Sequence, residues 1–234
     1  MSTVQASAGF LYLVATPIGN VEDIGQRALR TLEQCDAIAC EDTRKTGRLL
    51  ETLGISAHLY SYHEHNEQQR AADLADRLTR GETIALVVDA GTPAISDPGF
   101  RLVRECRRRG LPVVPIPGAS AAVTALSASG LPSDGFLFLG FLPSKVKARR
   151  TIFERYRDLP FTLIFYESCY RIDRCLGDLV AVLEPERTVC IARELTKRYE
   201  SFYVGRAKEV LDQLLRESRK GEFVVLVAKS GYLL

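Results

Sequence analysis

Thirteen residues, Val87-Val-Asp-Ala-Gly-Thr-Pro-Ala-Ile-Ser-Asp-Pro-Gly99, restrict the fold of this chain more than any other stretch. The apolar run Thr83–Val88 reads as a buried strand. It stops at Asp89, and a loop of small residues follows. Ser96-Asp97-Pro98 then predicts a helix start, with a side-chain cap and proline at the first helical position. A carboxylate and a Gly-Thr-Pro turn thus stand at the carboxyl end of a strand, where open parallel sheets bind ligands. The loop is neither G-x-G-x-x-G nor G-x-x-x-x-G-K-[ST], so neither common phosphate cradle fits. Ordinary strand-to-helix turns also use Gly and Pro, but they rarely need so long a constrained run.

The same alternation runs through the first half. Phe10–Ala15 reads as a strand followed by Thr16-Pro-Ile-Gly-Asn20. Ile24, Ala28, Leu29 and Leu32 recur at helical spacing. The strand Ala37–Cys40 runs into Glu41-Asp42-Thr43-Arg44 and a helix carrying Leu49, Leu50 and Leu53, which stops at Gly54. Ala71, Leu74, Ala75 and Leu78 mark another helix, and Leu102, Val103 and Cys106 one more. Val113–Ile116 is the next strand, and Pro117–Ala121 opens a further helix. A βαβ series of this kind predicts a parallel sheet with helices on both faces. The second half differs. Phe136–Phe141, Phe161–Glu167, Arg187–Arg193, Glu200–Gly205 and Phe223–Lys229 read as strands, with helices near Phe153, Leu179 and Leu211. Val189–Ala192 and Ser201–Val204 are joined by a short stretch and should pair antiparallel. The expected fold is therefore α/β with two domains: a parallel-sheet domain over 1–130 and a mixed-sheet domain over 131–234, divided near Gly130-Leu-Pro132.

The 234 residues are 46% hydrophobic, enough for a substantial core. No apolar run reaches the length of a membrane span, and no signal-peptide layout opens the chain, so a cytoplasmic protein is expected. The net charge of +2 makes any basic site a local patch. The six scattered cysteines include no C-x-x-C and read as reduced, buried thiols. His58, His63 and His65 have no partners at metal-ligand spacing, so no metal is expected. Arg107-Arg-Arg109 suits a helix C-terminus better than a nucleic-acid patch.

Four loops follow strands and so share one sheet edge: Thr16–Asn20, Glu41-Asp42, Asp89–Gly99 and Pro117–Ala121. Their small residues let a ligand approach the backbone closely. Few cations accompany them, which argues against a triphosphate. A zwitterionic amino acid joined to adenosine, as in S-adenosylmethionine, suits such a cleft. The expected contacts are Pro17, Asp89, Ala90, Gly91, Thr92, Ile95, Pro117, Gly118, Ala119, Ser120 and Ala121.

The motifs Leu13-Val-Ala-Thr-Pro-Ile-Gly-Asn20, Glu41-Asp-Thr-Arg44, Asp89–Gly99, Pro117-Gly-Ala119, Gly140-Phe-Leu-Pro143 with Lys145, Phe165-Tyr-Glu-Ser168 and Ala192-Arg-Glu-Leu-Thr-Lys197 occur in this order. Together they resemble the ribosomal RNA small-subunit methyltransferase I family of the tetrapyrrole-methylase-like (class III) superfamily, over essentially residues 10–229. The resemblance implies a two-domain α/β fold, S-adenosylmethionine in the interdomain cleft, and a homodimer. It implies 2′-O-methylation of a cytidine ribose in small-subunit rRNA, as free RNA or assembled 30S subunit. Members of that family usually continue as a small helical C-terminal domain, whereas this sequence stops at Gly231-Tyr-Leu-Leu234.

A ribose hydroxyl is a weak nucleophile, so a base or a cation beside the alkoxide would help. Glu41, Asp42, Glu194 and Lys197 are the candidates. Capping of the next helix competes for Glu41 and Asp42, and surface ion pairing for Arg193, Glu194 and Lys197. For RNA, Lys145-Val-Lys-Ala-Arg-Arg150 places four cations where a helix N-terminus does not favour them, which suggests phosphate binding. Arg44 and Arg171 join this set, and Tyr166 and Tyr170 could stack a base, although Tyr166 could equally be core. Two rival functions remain: a tetrapyrrole or diphthine-type methyltransferase, and a non-catalytic RNA-binding assembly factor.

Overall fold

A computed structural model describes residues 8–217 and 220–234. The chain forms two compact units, one ending at Ser120 and the other beginning at Ala121. In the first, β1 (Leu11–Val14), β2 (Ala37–Cys40), β3 (Leu59–Ser61), β4 (Ile84–Val87) and β5 (Val113–Ile116) form a sheet in the order β3-β2-β4-β1-β5. Every pairing is parallel. The helices between strands are α1 (Gln26–Gln34), α2 (Thr43–Leu53), α3 (Glu67–Thr79) and α4 (Phe100–Arg108).

Both faces of this sheet are covered, and the two-residue strand period shows how. Ala37, Ala39, Ile84 and Leu86 join a core with Leu74 and Leu78 of α3 and Leu102 and Cys106 of α4. Their neighbours Ile38, Cys40, Ala85 and Val87 join a second core with Ala28 and Leu32 of α1 and Leu50 of α2. Successive residues point to opposite faces, so strands buried on both sides are continuous apolar runs.

The second unit contains α5 (Ala121–Ala128), β6 (Phe136–Phe141), α6 (Val146–Arg155), β7 (Thr162–Ser168), α7 (Ile172–Val182), β8 (Thr188–Arg193), β9 (Ser201–Arg206), α8 (Ala207–Arg216) and β10 (Glu222–Val227). Its sheet has the order β6-β7-β10-β8-β9. Only β6 and β7, joined through α6, are parallel; the other pairings, β8 with β9 included, are antiparallel. One core gathers Phe153 of α6, Leu176 and Leu179 of α7, and Val210 and Leu214 of α8 around Phe165, Ile191 and Val225.

Three local expectations change. The units divide ahead of Gly130-Leu-Pro132, because α5 packs on β10 and β7. The short strand β3, with no fully buried residue, is not among the strands expected from the sequence. Ser96-Asp97-Pro98 does not cap α4: Ser96 has φ 61°, the Ala94 amide donates to the Pro98 carbonyl at 3.1 Å, and the cap residue is Gly99 at φ 141°. A side chain at Gly99 would meet Leu86 Cδ2 at 3.0 Å, so the loop needs glycine there on two counts. The cysteines are buried or half-buried, and burial pushes the Cys106 thiol up to about 11 and the Cys190 thiol up to about 12.

Candidate active site

The carboxyl edge of the parallel sheet brings the predicted loops together. Thr16, just past β1, and Gly91 exchange backbone hydrogen bonds in both directions, at 2.9 and 3.0 Å. The Thr16 hydroxyl donates to the Val88 carbonyl at 3.0 Å, and the Thr92 hydroxyl donates to the Ala119 carbonyl at 2.9 Å. The turns carrying Pro17, Gly91 and Ala119 are thus tied by one backbone pairing and two threonine hydroxyls. Gly91 has φ 89°, a conformation that strains any side chain, although a Cβ there would meet only ordinary contacts. Gly118 is different: a Cβ would lie 2.7 Å from that of Ala15. Its glycine lets the turn after β5 approach the end of β1.

The amides of Gly118, Ala119 and Ser120 donate to no protein group among the described residues. Gly118 is exposed and Ala119 and Ser120 are half-buried. Ala121 follows them as the first residue of α5. Asp89 accepts from the Asp42 amide at 3.3 Å and from Lys45 Nζ at 2.6 Å, joining the end of β4 to the first turn of α2.

The carboxylates on this edge fall into distinct states. Asp42 caps α2, accepting from the Arg44 amide at 2.8 Å, and pairs with the Arg44 guanidinium at 2.8 Å. The Arg44 side chain holds the Asp42 carboxyl well below the usual carboxylate range. Asp42 is therefore a cap and an ion-pair partner, and a poor proton acceptor. Glu41 has no ion-pair or hydrogen-bond partner among the described residues. Asp97 is the residue that sequence reasoning misplaces. Burial, and after it the carboxylates of Glu41 and Asp89, push its carboxyl up to about 6. Reading it as part of a helix cap hides it, although it lies in the same loop as Asp89.

Glu194 and Lys197 lie in the second unit, past the end of β8. Lys197 Nζ is shared between Glu194 Oε1 at 2.9 Å and Glu222 Oε2 at 2.8 Å. These partners raise the ammonium pKa against burial, while that of Glu194 is lowered, against burial, by Lys197 and the Glu222 amide. Arg193 donates from Nε to the Lys220 carbonyl at 2.7 Å. Ion pairing thus engages both candidate groups. The intervening loop is strained, with Glu194 at φ 52° and Thr196 at φ 64°.

The candidate RNA residues divide too. Lys145, Lys147 and Arg150 are exposed. Arg149 is not a surface cation: it is 2% exposed and paired with Asp178. Arg150 also reaches Asp178, at 2.7 Å, and Arg171 pairs with buried Glu167 at 2.8 Å. Tyr166 packs edge-on against Phe138 and Phe141, while Tyr170 is 86% exposed. Arg108 and Arg109 pair with Glu105 at 2.7 Å, in keeping with a helix end.

The sequence profile of the tetrapyrrole (corrin/porphyrin) methylases matches residues 10–211. The chain belongs to this family. As a tetrapyrrole methylase relative it is a methyltransferase, and its curated relatives narrow the class. It is 53% identical over 223 residues to the ribosomal RNA small subunit methyltransferase I of Escherichia coli O157:H7, covering 94% of this chain and 78% of that one. The protein of that name from Halalkalibacterium halodurans is 52% identical, covering 95% and 77%. Among solved structures, diphthine synthase superposes with TM-score 0.72 at 14% identity, covering 94% of this chain and 90% of that one. A Thermus thermophilus uroporphyrin-III C-methyltransferase bound to S-adenosylhomocysteine gives TM-score 0.63 at 19% identity, covering 93% and 97%. These structural likenesses establish the tetrapyrrole methylase fold.

Proposed function

We propose that this protein methylates the 2′-oxygen of a cytidine ribose in small-subunit ribosomal RNA, with S-adenosylmethionine as donor. The observation that carries this reading is half-identity over nearly the whole chain to methyltransferases named for small-subunit rRNA. The fold neighbours that act on tetrapyrroles or on diphthine precursors are far more distant in sequence, which favours RNA over those substrates.

The residues present fit the donor. The unpartnered amides after β5 and the small-residue loop at Gly91 suit a zwitterion linked to a neutral adenosine, and the nearby cations Arg44 and Lys45 are already paired with Asp42 and Asp89. Asp89 would face a hydroxyl or ammonium group, and Pro17, Ala90–Thr92, Ile95 and Pro117–Ala121 would enclose the rest. The donor supplies an activated methyl group on sulfur. Methyl transfer forms an O–C bond, breaks the S–C bond and releases the hydroxyl proton. Alignment supplies much of the acceleration. Glu41 is the candidate acceptor of that proton, because Asp42, Glu194 and Lys197 are already engaged. The protein works as a cytoplasmic homodimer in this reading.

The decisive assay incubates small-subunit particles, and separately free rRNA, with methyl-labelled S-adenosylmethionine and maps the modified ribose. Label at one cytidine 2′-oxygen supports the reading. Donor binding without transfer to either RNA rejects it, and no donor binding would favour an assembly factor.

A further inference from the structure

Two buried carboxylates in the second unit each hold an arginine, and both arginines reach the same short segment. Arg149 donates to Asp178 Oδ2 from Nε, at 2.9 Å, and from Nη2. Its Nη1 donates to the carbonyls of Pro143 and Ser144, each at 3.3 Å. Arg171 donates from Nε to Glu167 Oε1 at 2.8 Å, and from Nη1 to the Leu142 carbonyl at 3.4 Å. Three successive carbonyls, Leu142 to Ser144, are therefore held by two guanidiniums.

This segment leaves β6 and enters α6, and Lys145 follows it at the helix cap position. Pro143 and Ser144 are exposed, so water could satisfy their carbonyls. Buried ion pairs are weak sources of net stability, because desolvation offsets their attraction. The need to satisfy a buried carbonyl reaches only Leu142, which is 3% exposed, and stability does not account for the arrangement. Geometry does. Lys145 and Lys147 are exposed and have no carboxylate partner among the described residues. Arg150 is oriented by the other oxygen of Asp178. An open groove of about 430 Å³ lies alongside, lined by Val146, Lys147, Arg150, Thr151 and Glu154.

We propose that Arg149 and Arg171 are positioning residues, which clamp Leu142–Ser144 so that Lys145, Lys147 and Arg150 form a fixed edge for successive RNA phosphates. This rests on the RNA-substrate reading above. The sequence suggests that both arginines grip phosphate themselves; here they act through the backbone they hold.

The test exploits a conflict of sign. Asp178→Asn and Glu167→Gln each remove a negative charge near the cations. Charge alone predicts tighter RNA binding. The clamp predicts weaker binding, by about tenfold, and a log–log salt slope reduced by roughly 0.7–0.9 for every phosphate no longer neutralised. Filter-binding titrations of the full chain with small-subunit rRNA at several salt concentrations read both. Near-ultraviolet circular dichroism checks the fold, and S-adenosylmethionine affinity should stay unchanged. Arg171→Lys, at a partly exposed position, keeps the charge but loses the fork, and should also weaken binding if the buried-carboxylate variants do not fold. Tighter or unaltered RNA binding in the folded variants overturns the clamp. Lys145→Gln with Lys147→Gln tests the underlying reading separately: an unchanged salt slope there rejects phosphate binding by this edge, whatever the clamp does.

Discussion

Residue by residue, the site depends on which charges are already engaged. Glu41 and Asp42 are neighbours, yet Asp42 is a helix cap tied to Arg44, while Glu41 has no such partner among the described residues. Glu41→Gln should therefore lower kcat by about 10²–10⁴, the usual contribution of a general base. Its S-adenosylmethionine affinity should barely move. Single-turnover methylation with calorimetry checks both, and a fully active variant would remove Glu41 from the chemistry. Asp97 makes a prediction about pH. Its carboxyl is raised to about 6 from an unfolded value of 3.8, so between those values the folded state binds more protons. Stability therefore falls as pH rises through that window. Asp97→Asn removes the ionised form, so it should melt higher than wild type at pH 8 and close to it at pH 4. Melting curves that differ equally at both pH values would contradict this assignment.

At the scale of elements, loops at the ends of strands carry the site because rigid strands place them. The Thr16–Gly91 pairing and the Thr92–Ala119 bond tie three such loops together. Gly91→Val forces a β-branched side chain into positive φ, at a cost of order 1–3 kcal/mol. It should lower the melting temperature and weaken S-adenosylmethionine binding, because the loop cannot keep its shape. Calorimetry on the folded variant decides, and unaltered affinity would reject this loop as a donor contact. In the second unit, Phe153 is buried between α6 and the sheet and lies against Phe165. Phe153→Ala should cost about 3–5 kcal/mol, measured by urea unfolding. A cost under about 1 kcal/mol would mean that α6 packs less tightly than its burial implies.

For the molecule as a whole, ligand and self-association are the measurable consequences. A donor that binds only the folded chain at a hundred times its Kd should add about 2.7 kcal/mol of stability. A homodimer should give twice the 26.0 kDa chain mass in light scattering at micromolar concentration, and a monomer mass there would reject it.

Much of this architecture was legible in the sequence because its signals are local. Ala37–Cys40 and Val113–Ile116 form strands with the predicted bounds, and Gly54 ends α2 in the left-handed conformation. Hydrophobic period and backbone chemistry act within a few residues, so they can be read along the chain. The carboxyl-edge loops followed from the parallel order those periods imply. Tertiary structure decided what depends on distant partners. Arg149 and Arg150 are adjacent cations in the sequence, but Asp178, far along the chain, takes one into the interior and leaves the other exposed. Asp97 looks like a cap until burial, with the distant Glu41 and the same loop's Asp89, raises its carboxyl. Burial and charge pairing are sums over neighbours in space, so the state of each ionisable group was fixed only when the chain had folded.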